Sequence, residues 1–219
     1  MTAKLIAVEG LDGSGKETQA RLLRSALEAR GLRVESVSFP RYGQSGAVLV
    51  EEYLRGDFGA DPEAVNAYAA SSFFAMDRFA SYLREWKDLY EGCDVFLADR
   101  YVTSNAIHQC SKLPRGEWES FLLWLFDYEY GKLGLPEPAQ VFYLHLGVGD
   151  SQRLLDERYH GDQLRKDIHE HDVEYLRKSQ AAAEYCCGRC GWERVECMRG
   201  GRLRSVEDIH AEILERLES

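Results

Sequence analysis

Short apolar runs alternate along this chain with longer stretches in which apolar residues recur every three or four positions. The short runs predict buried strands over about 4–9 (Leu5-Ile6-Ala7-Val8), Val34 to Phe39, Asp94 to Asp99, Gln140 to Leu146 and Trp192 to Met198. The longer stretches predict helices. The first runs over about 16–30, with Leu22, Leu23, Ala26 and Leu27 on one side, and stops at Gly31. Ser45 to Arg55 forms a short one ending at Gly56. Asp61-Pro62, an acid at the cap and proline at the first position, opens a long one reaching about Tyr90. Others begin near Thr103, span Arg115 to Tyr130, and close the chain after Ser205, where Val206, Ile209, Ile213 and Leu217 recur at helical spacing. A polar, charged segment from Arg158 to Asp172 interrupts two further helical stretches. Strand and helix in alternation predict an α/β architecture, a parallel sheet covered on both faces. No repeat, low-complexity segment or linker divides it, so residues 1–219 read as one domain.

One stretch changes this picture from fold to chemistry. Gly10-Leu11-Asp12-Gly13-Ser14-Gly15-Lys16-Glu17-Thr18 lies between the first strand and the first helix. Glycines there let the backbone turn tightly, the free N–H groups of the helix start point at an anion, and Lys16 adds a full positive charge. This is the pattern of a phosphate-binding loop. One position departs from it: Glu17 stands where a serine or threonine hydroxyl usually meets Mg2+, with Thr18 next. Glu17 either faces away or meets the metal, directly or through water.

Charge and composition narrow the classes. With 45% hydrophobic and 29% charged residues the chain reads as an ordinary globular protein, and its net charge of −10 gives no basic footprint for a nucleic-acid polymer. No apolar run has the length of a membrane span and no secretion signal is seen, so a cytoplasmic protein is expected. The six cysteines are expected to be reduced. Cys187-Gly-Arg-Cys190 has no second pair at matched spacing, so no structural zinc is expected.

Further candidates follow along the chain. Phe74 and Arg78, four apart, share a helix face on which a ring stacks a base and a guanidinium bonds its edge. Asp99 ends a strand, where a second acid supports Mg2+ in phosphate-loop proteins, and Arg100 follows in the crevice where α/β sheets bind ligands. Asn105, His108 and Gln109 share one face of the next helix, lining a pocket or, for the histidine, lying in solvent. The other aromatics of 62–90 read as core or dimer packing.

Together these motifs resemble the thymidylate kinase family over nearly the whole chain. The resemblance is carried by Gly10–Thr18, Phe39-Pro40-Arg41, Phe74-x-x-x-Arg78 and Asp99-Arg100-Tyr101-Val102-Thr103-Ser104-Asn105, and more weakly by Asp167-Ile168-His169-Glu170 and Leu203–Ile209. It implies a three-layer α/β/α P-loop kinase fold with a five-stranded parallel sheet and a mobile lid at about 158–172. It implies transfer of the γ-phosphoryl of ATP to dTMP with Mg2+, and a homodimer. Gly10, Gly13, Ser14, Gly15, Lys16, Glu17 and Thr18 are then expected at ATP. Asp12, Arg41, Phe74, Arg78, Arg100, Tyr101, Ser104, Asn105 and His108 are expected at dTMP. Glu17, Thr18 and Asp99 are expected at the metal. Asp12, Lys16 and Arg100 are expected to act in catalysis, with Arg165 first and Arg158 second as lid cations. His108 departs from the tyrosine or phenylalanine of some relatives, and Ile168 from a lid arginine. Two rivals remain open: a kinase for another monophosphate, dUMP nearest, and a non-catalytic nucleotide switch.

Overall fold

A computed structural model of the protein describes residues 3–158, 160 and 168–218. Among these, five strands form one parallel sheet in the order β2-β3-β1-β4-β5: β1 Lys4–Gly10, β2 Val34–Ser38, β3 Val95–Asp99, β4 Gln140–His145 and β5 Glu193–Glu196. The three central strands, β1, β3 and β4, are buried on both faces and read as apolar runs, whereas the edge strands β2 and β5 are only partly buried and carry polar residues as well. Successive side chains of β1 go to opposite layers. Leu5 and Ala7 join Phe96, Ala98 and Tyr143 beneath α5 (Val102–Cys110), α6 (Trp118–Phe126) and α9 (Val173–Cys190). Ile6 and Val8 join Leu97, Phe142 and Leu144 beneath α1 (Lys16–Ala29) and α10 (Val206–Glu218), through Leu23, Leu27, Ile209 and Ile213. The three layers follow.

Several boundaries differ from the sequence reading, each for a local reason. The expected helix 62–90 is broken. Asp61 and Pro62 do cap as foreseen, with Asp61 Oδ1 accepting from Glu63 N at 2.8 Å, but what they open is a single 3-10 turn, Pro62–Ala64. Asn66 then caps α3 (Ala67–Ser81) by accepting from Ala69 N at 2.9 Å. A π turn, Tyr82–Trp86, leads into α4 (Lys87–Gly92). A second π turn, Asp127–Lys132, ends the helical stretch that began at Arg115. The fifth strand is shorter than expected, because the chain turns after Cys197 into a hairpin, β6 (Met198–Arg199) and β7 (Arg202–Leu203). Gly200 and Gly201, with φ of 57° and 75°, make that turn, a glycine-pair signal that the sequence carried. The remaining helices are α2 (Val48–Arg55), α7 (Val148–Arg158) and α8 (Ile168–His171).

The sheet brings the chemistry to one end. β1 pairs with both β3 and β4, so the order of connection reverses at β1, and the crevice at the carboxyl ends of such strands is where this architecture accepts ligands. The register sets Val8 opposite Asp99 and Gly10 opposite Leu144, so the loop after β1 lies beside the turn after β3. Phe96, at the centre of β3, is fully buried and stacks on Trp86 with ring centres 5.2 Å apart. Replacing Phe96 by alanine is expected to cost about 3–5 kcal/mol of stability, the usual cost of an unfilled aromatic cavity. Denaturant unfolding measures it, and a loss below about 1 kcal/mol would contradict this core assignment.

Candidate active site

The loop Gly10–Lys16 is built on backbone that only glycine tolerates. A Cβ at Gly10 would sit 2.6 Å from Ser14 Oγ and 2.8 Å from the Leu144 carbonyl oxygen. Gly13 and Gly15 have φ of 81° and 87°, the left-handed region. Gly15 caps α1, whose first amides therefore face the loop rather than a preceding turn. Lys16 is buried and folds back over the loop, donating to Leu11 O at 3.0 Å and lying 3.4 Å from Asp12 Oδ1.

Across the crevice, Arg100 also has positive φ, at 64°, and its amide donates to Val8 O at 3.1 Å. That conformation turns its guanidinium back onto Asp12, with which it makes a short ion pair, and places Nη1 3.4 Å from His108 Nε2. Burial alone would push the Asp12 carboxyl up. The Arg100 guanidinium, then Lys16, outweigh it and hold the carboxyl far below the usual range. Lys16 is pushed down by burial and by Arg100, with Asp12 pulling the other way. Glu9, the last acid of β1, fastens the turn after β3. It is fully buried and accepts from Tyr101 N at 3.0 Å, Thr103 Oγ1 at 2.7 Å and Ser104 Oγ at 2.7 Å. Burial raises its pKa against the opposing pull of Arg100 and these donors.

On the far wall, Phe74 stands edge-on to Tyr53, ring centres 6.1 Å apart. Arg78 is fully buried and pairs side-on with Glu129, Nε to Oε2 and Nη2 to Oε1, both at 2.7 Å. Burial works against the Arg78 charge, and Glu129 more than offsets it. Asn105 Nδ2 donates to the same Glu129 Oε1 at 2.9 Å and to Ser71 O at 3.1 Å. These groups enclose a cleft of about 370 Å³, lined among others by Asp12, Gly13, Gly15, Lys16 and Glu17, by Asp99, Arg100 and Ser104, and by Phe74, Arg78, Asn105 and His108.

Thus most of the residues expected at the site do converge, from five segments of the chain. Others do not. Arg41 lies outside the lining residues; its amide donates to Asp77 Oδ2 at 2.9 Å and its guanidinium makes a short pair with Glu85. Tyr101 is core rather than lining, packed against Phe39 and Trp86, with its hydroxyl donating to Pro136 O at 2.9 Å. Gly10, Ser14 and Thr18 shape the loop from outside the described lining. His108 is no solvated histidine: it is buried and stacks on His169 at 5.6 Å and 10°. Arg158, at the end of α7, lines the cleft, whereas Arg165 falls outside the described residues.

The sequence reading missed Glu9, Glu129 and His169 as site residues, whereas Gln109, placed on the pocket-facing side of its helix with Asn105 and His108, does reach the cleft. Gln109 is fully buried at the cleft, and neither amide atom has a partner among the described residues. Glu9 announced itself only as an acid closing an apolar run. Glu129 gave no local sign, because its partner is 51 residues away. All six cysteines are free, and among the described residues no cluster of three or more His, Cys, Asp or Glu is arranged to hold a metal. No helix among those residues is long and apolar enough to cross a membrane.

Comparison with known proteins agrees with this geometry. The thymidylate kinase family model matches residues 8–187. The thymidylate kinase of Mycobacterium tuberculosis strain H37Rv is 36% identical over 183 residues, covering 81% of this chain and 82% of its own. That of Homo sapiens is 29% identical over 150 residues, 68% of this chain and 64% of its own. Among solved structures, a thymidylate kinase from Candida albicans superposes with a TM-score of 0.71 at 20% identity, covering 99% of this chain and 92% of its own.

The histidine carries a pH signature. Burial first, and then the charge of Arg100, push the His108 pKa down from 6.5 to about 3. As pH falls below about 6.5 the unfolded chain takes up a proton there that the native protein refuses until about 3. Stability is therefore lost on acidification through that window, at about 1.4 kcal/mol per pH unit for this one group. Unfolding of the ligand-free protein at pH 6 and pH 4 is expected to show a steeper loss than in His108→Phe by about that increment per unit. An unchanged slope in the variant would contradict the neutral, buried imidazole.

Proposed function

The chain belongs to the thymidylate kinase family and catalyses transfer of the γ-phosphoryl of ATP to dTMP, giving ADP and dTDP; from that premise we propose how its residues divide the work. The observation that carries the assignment is the meeting, in one cleft, of a phosphate loop, the Arg100–Asp12 pair and the Arg78–Asn105 wall. The amides of Gly13 to Thr18 and Lys16 hold the ATP phosphates, with Gly10 and Ser14 shaping the loop. Arg100 receives the dTMP phosphate. Phe74 stacks on thymine, Arg78 and Asn105 bond its edge, and Gln109 adds a further amide there. Asp12 and Ser104 lie towards the sugar and phosphate side, and His108 walls the sugar. Tyr101 supports this pocket from the core. Arg41 reaches the acceptor phosphate by exchanging Glu85 for it, trading one carboxylate for a dianion.

Two polyanions must meet here, and their repulsion is the main barrier the protein has to lower. Lys16 and Arg100 do this together, both drawn to Asp12 Oδ1, so the two cations are already gathered at the phosphate side of the cleft. The donor set also suits Mg2+. Asp99 lines the cleft with one buried oxygen, Oδ1, that has no partner among the described residues, and Glu17 is a lining residue of the same cleft. Magnesium takes one or two carboxylates together with substrate phosphates, so Asp99 and Glu17 would hold it, with the Thr18 hydroxyl adjacent. Bound there it would neutralise charge on the phosphate oxygens. The lid expected over 158–172 falls largely outside the described residues, and its described part, α8, is buried against the cleft; its proposed role is to exclude water, with Arg165 and Arg158 as its phosphoryl-directed cations. Tyr68 and Met76 on α3 and Leu83 in the π turn after it are exposed apolar residues, which supports pairing of two copies as a homodimer. Six free thiols support a reducing, cytoplasmic setting. The net charge of −10 supports small phosphorylated partners over a nucleic-acid polymer, and no membrane partner is proposed.

ADP release measured with ATP alone and then with dTMP, dUMP, dCMP or AMP tests the reading. Turnover is expected to be fastest with dTMP, with dUMP next and ATP alone negligible. Phosphorylation of dCMP or AMP as fast as dTMP would refute the base assignment. For the lid, an Arg158→Ala, Arg165→Ala double variant is expected to lose kcat by about 10³-fold while the KM for dTMP changes little, since a phosphoryl-directed arginine acts in the transition state. Normal turnover would return the burden to Lys16 and the metal.

A further inference from the structure

Glu129 touches no part of the cleft's expected ligand, yet two residues of the base-facing wall are bonded to it. Its carboxylate is fully buried within the π turn Asp127–Lys132, a local widening of the helix that turns the side chain inward. Arg78, a lining residue of the cleft, spends one hydrogen each of Nε and Nη2 on it; Nη1 makes no bond to Glu129, and whatever the guanidinium still offers is a donor. Asn105 spends both hydrogens of Nδ2, one on Glu129 Oε1 and one on Ser71 O. Both of those partners only accept, so the amide cannot be turned round without setting Asn105 Oδ1 against two acceptors. The atom that Asn105 keeps for the cleft is therefore Oδ1, an acceptor.

We infer that Glu129 is the specificity-determining positioning residue of this enzyme: by fixing Arg78 as donor and Asn105 as acceptor, it sets the hydrogen-bond polarity of the base pocket. A donor beside an acceptor complements the edge of a 4-oxo pyrimidine, whose O4 accepts and whose N3–H donates. Cytosine presents the opposite pair, an amino group at C4 and a bare N3. A cytosine in this pocket would face donor with donor and acceptor with acceptor, all of it out of water. Discrimination against dCMP then comes from a residue that never meets the base. This rests on the reading that Arg78 and Asn105 bond the base edge.

The test separates the two. Replacing Arg78 alone would strand a buried carboxylate and report on folding. Glu129→Gln keeps the shape but offers one acceptor and one donor. Either Arg78 loses one of its two bonds, or the Asn105 amide turns and presents Nδ2 to the cleft. Steady-state kinetics with dTMP and dCMP are measured for both proteins, with the KM for ATP as the readout that a merely loosened fold would also move. The ratio of kcat/KM for dTMP over dCMP is expected to fall by about 10-fold or more in the variant, since hydrogen-bond readers discriminate by several orders of magnitude. The KM for ATP is expected to stay within about 2-fold, because Glu129 has no contact with the phosphate loop. If the wild-type enzyme does not prefer dTMP to dCMP, the base reading itself falls, and this inference with it. If the wild type discriminates and Glu129→Gln keeps the full ratio, or loses both acceptors and ATP alike, only the inference falls. Should Glu129→Gln not fold, judged by its thermal transition, Glu129→Asp is read instead. Its carboxylate still only accepts, so the ratio is expected to be kept at reduced kcat/KM, and its collapse would overturn the inference.

Discussion

The ion pair between Arg100 and Asp12 is the interaction on which the rest of the site depends. It joins the loop after β1 to the turn after β3, which the sheet register has already set side by side. Without Asp12, two cations, Lys16 and Arg100, would face each other in a partly dry cleft, and each would carry an uncompensated desolvation cost. Without the left-handed backbone at Arg100, the guanidinium would leave the cleft. That strained turn is held by Glu9, whose three accepted hydrogen bonds fasten the start of α5 to the end of β1. A β-strand carboxylate thus does the work of a helix cap, at a place where the helix has no cap of its own.

The base side of the cleft repeats the arrangement. A second buried carboxylate, Glu129, holds Arg78 and Asn105. Burying the Arg78–Glu129 pair contributes little net stability, since desolvation consumes much of the attraction between them. What it supplies is orientation. Both halves of the site are therefore organised before any ligand binds, and transition-state charge meets dipoles and cations that need not reorganise. Arg41, paired with Glu85 away from the cleft, has to leave that partner on the proposed reading that it meets the acceptor phosphate.

Local signals carried the sequence reading a long way. The loop Gly10–Thr18 is legible because glycine spacing, lysine and helix start are contiguous, and Asp99-Arg100 because an acid closing an apolar run is unusual. Strand positions were correct to a residue or two, since the central parallel strands are continuous apolar runs and the edge strands β2 and β5 still interleave apolar with polar residues. The breaks in 62–90 and 115–130 were not legible. A π turn is selected by tertiary contacts, here the burial of Trp86 and the inward turn of Glu129, and propensity does not register it. Arg41 and Tyr101 stand next to residues that do line the cleft, so motif adjacency placed them there, while packing assigned one to a surface pair and the other to the core. Glu129 and Glu9 act through partners distant in sequence; Glu9 had only its place as an acid closing an apolar run to mark it, and Glu129 had no local mark at all.

A crystal structure of the protein with dTMP bound tests the central claim most directly, that the pocket is set by carboxylates behind it rather than by the ligand. The account predicts thymine stacked on Phe74, O4 at Arg78 Nη1, N3 at Asn105 Oδ1 and the phosphate at Arg100, with both Arg78–Glu129 bonds and the Asn105–Glu129 bond intact. A bound dTMP that draws Arg78 or Asn105 away from Glu129, or that turns its base edge elsewhere, would contradict it.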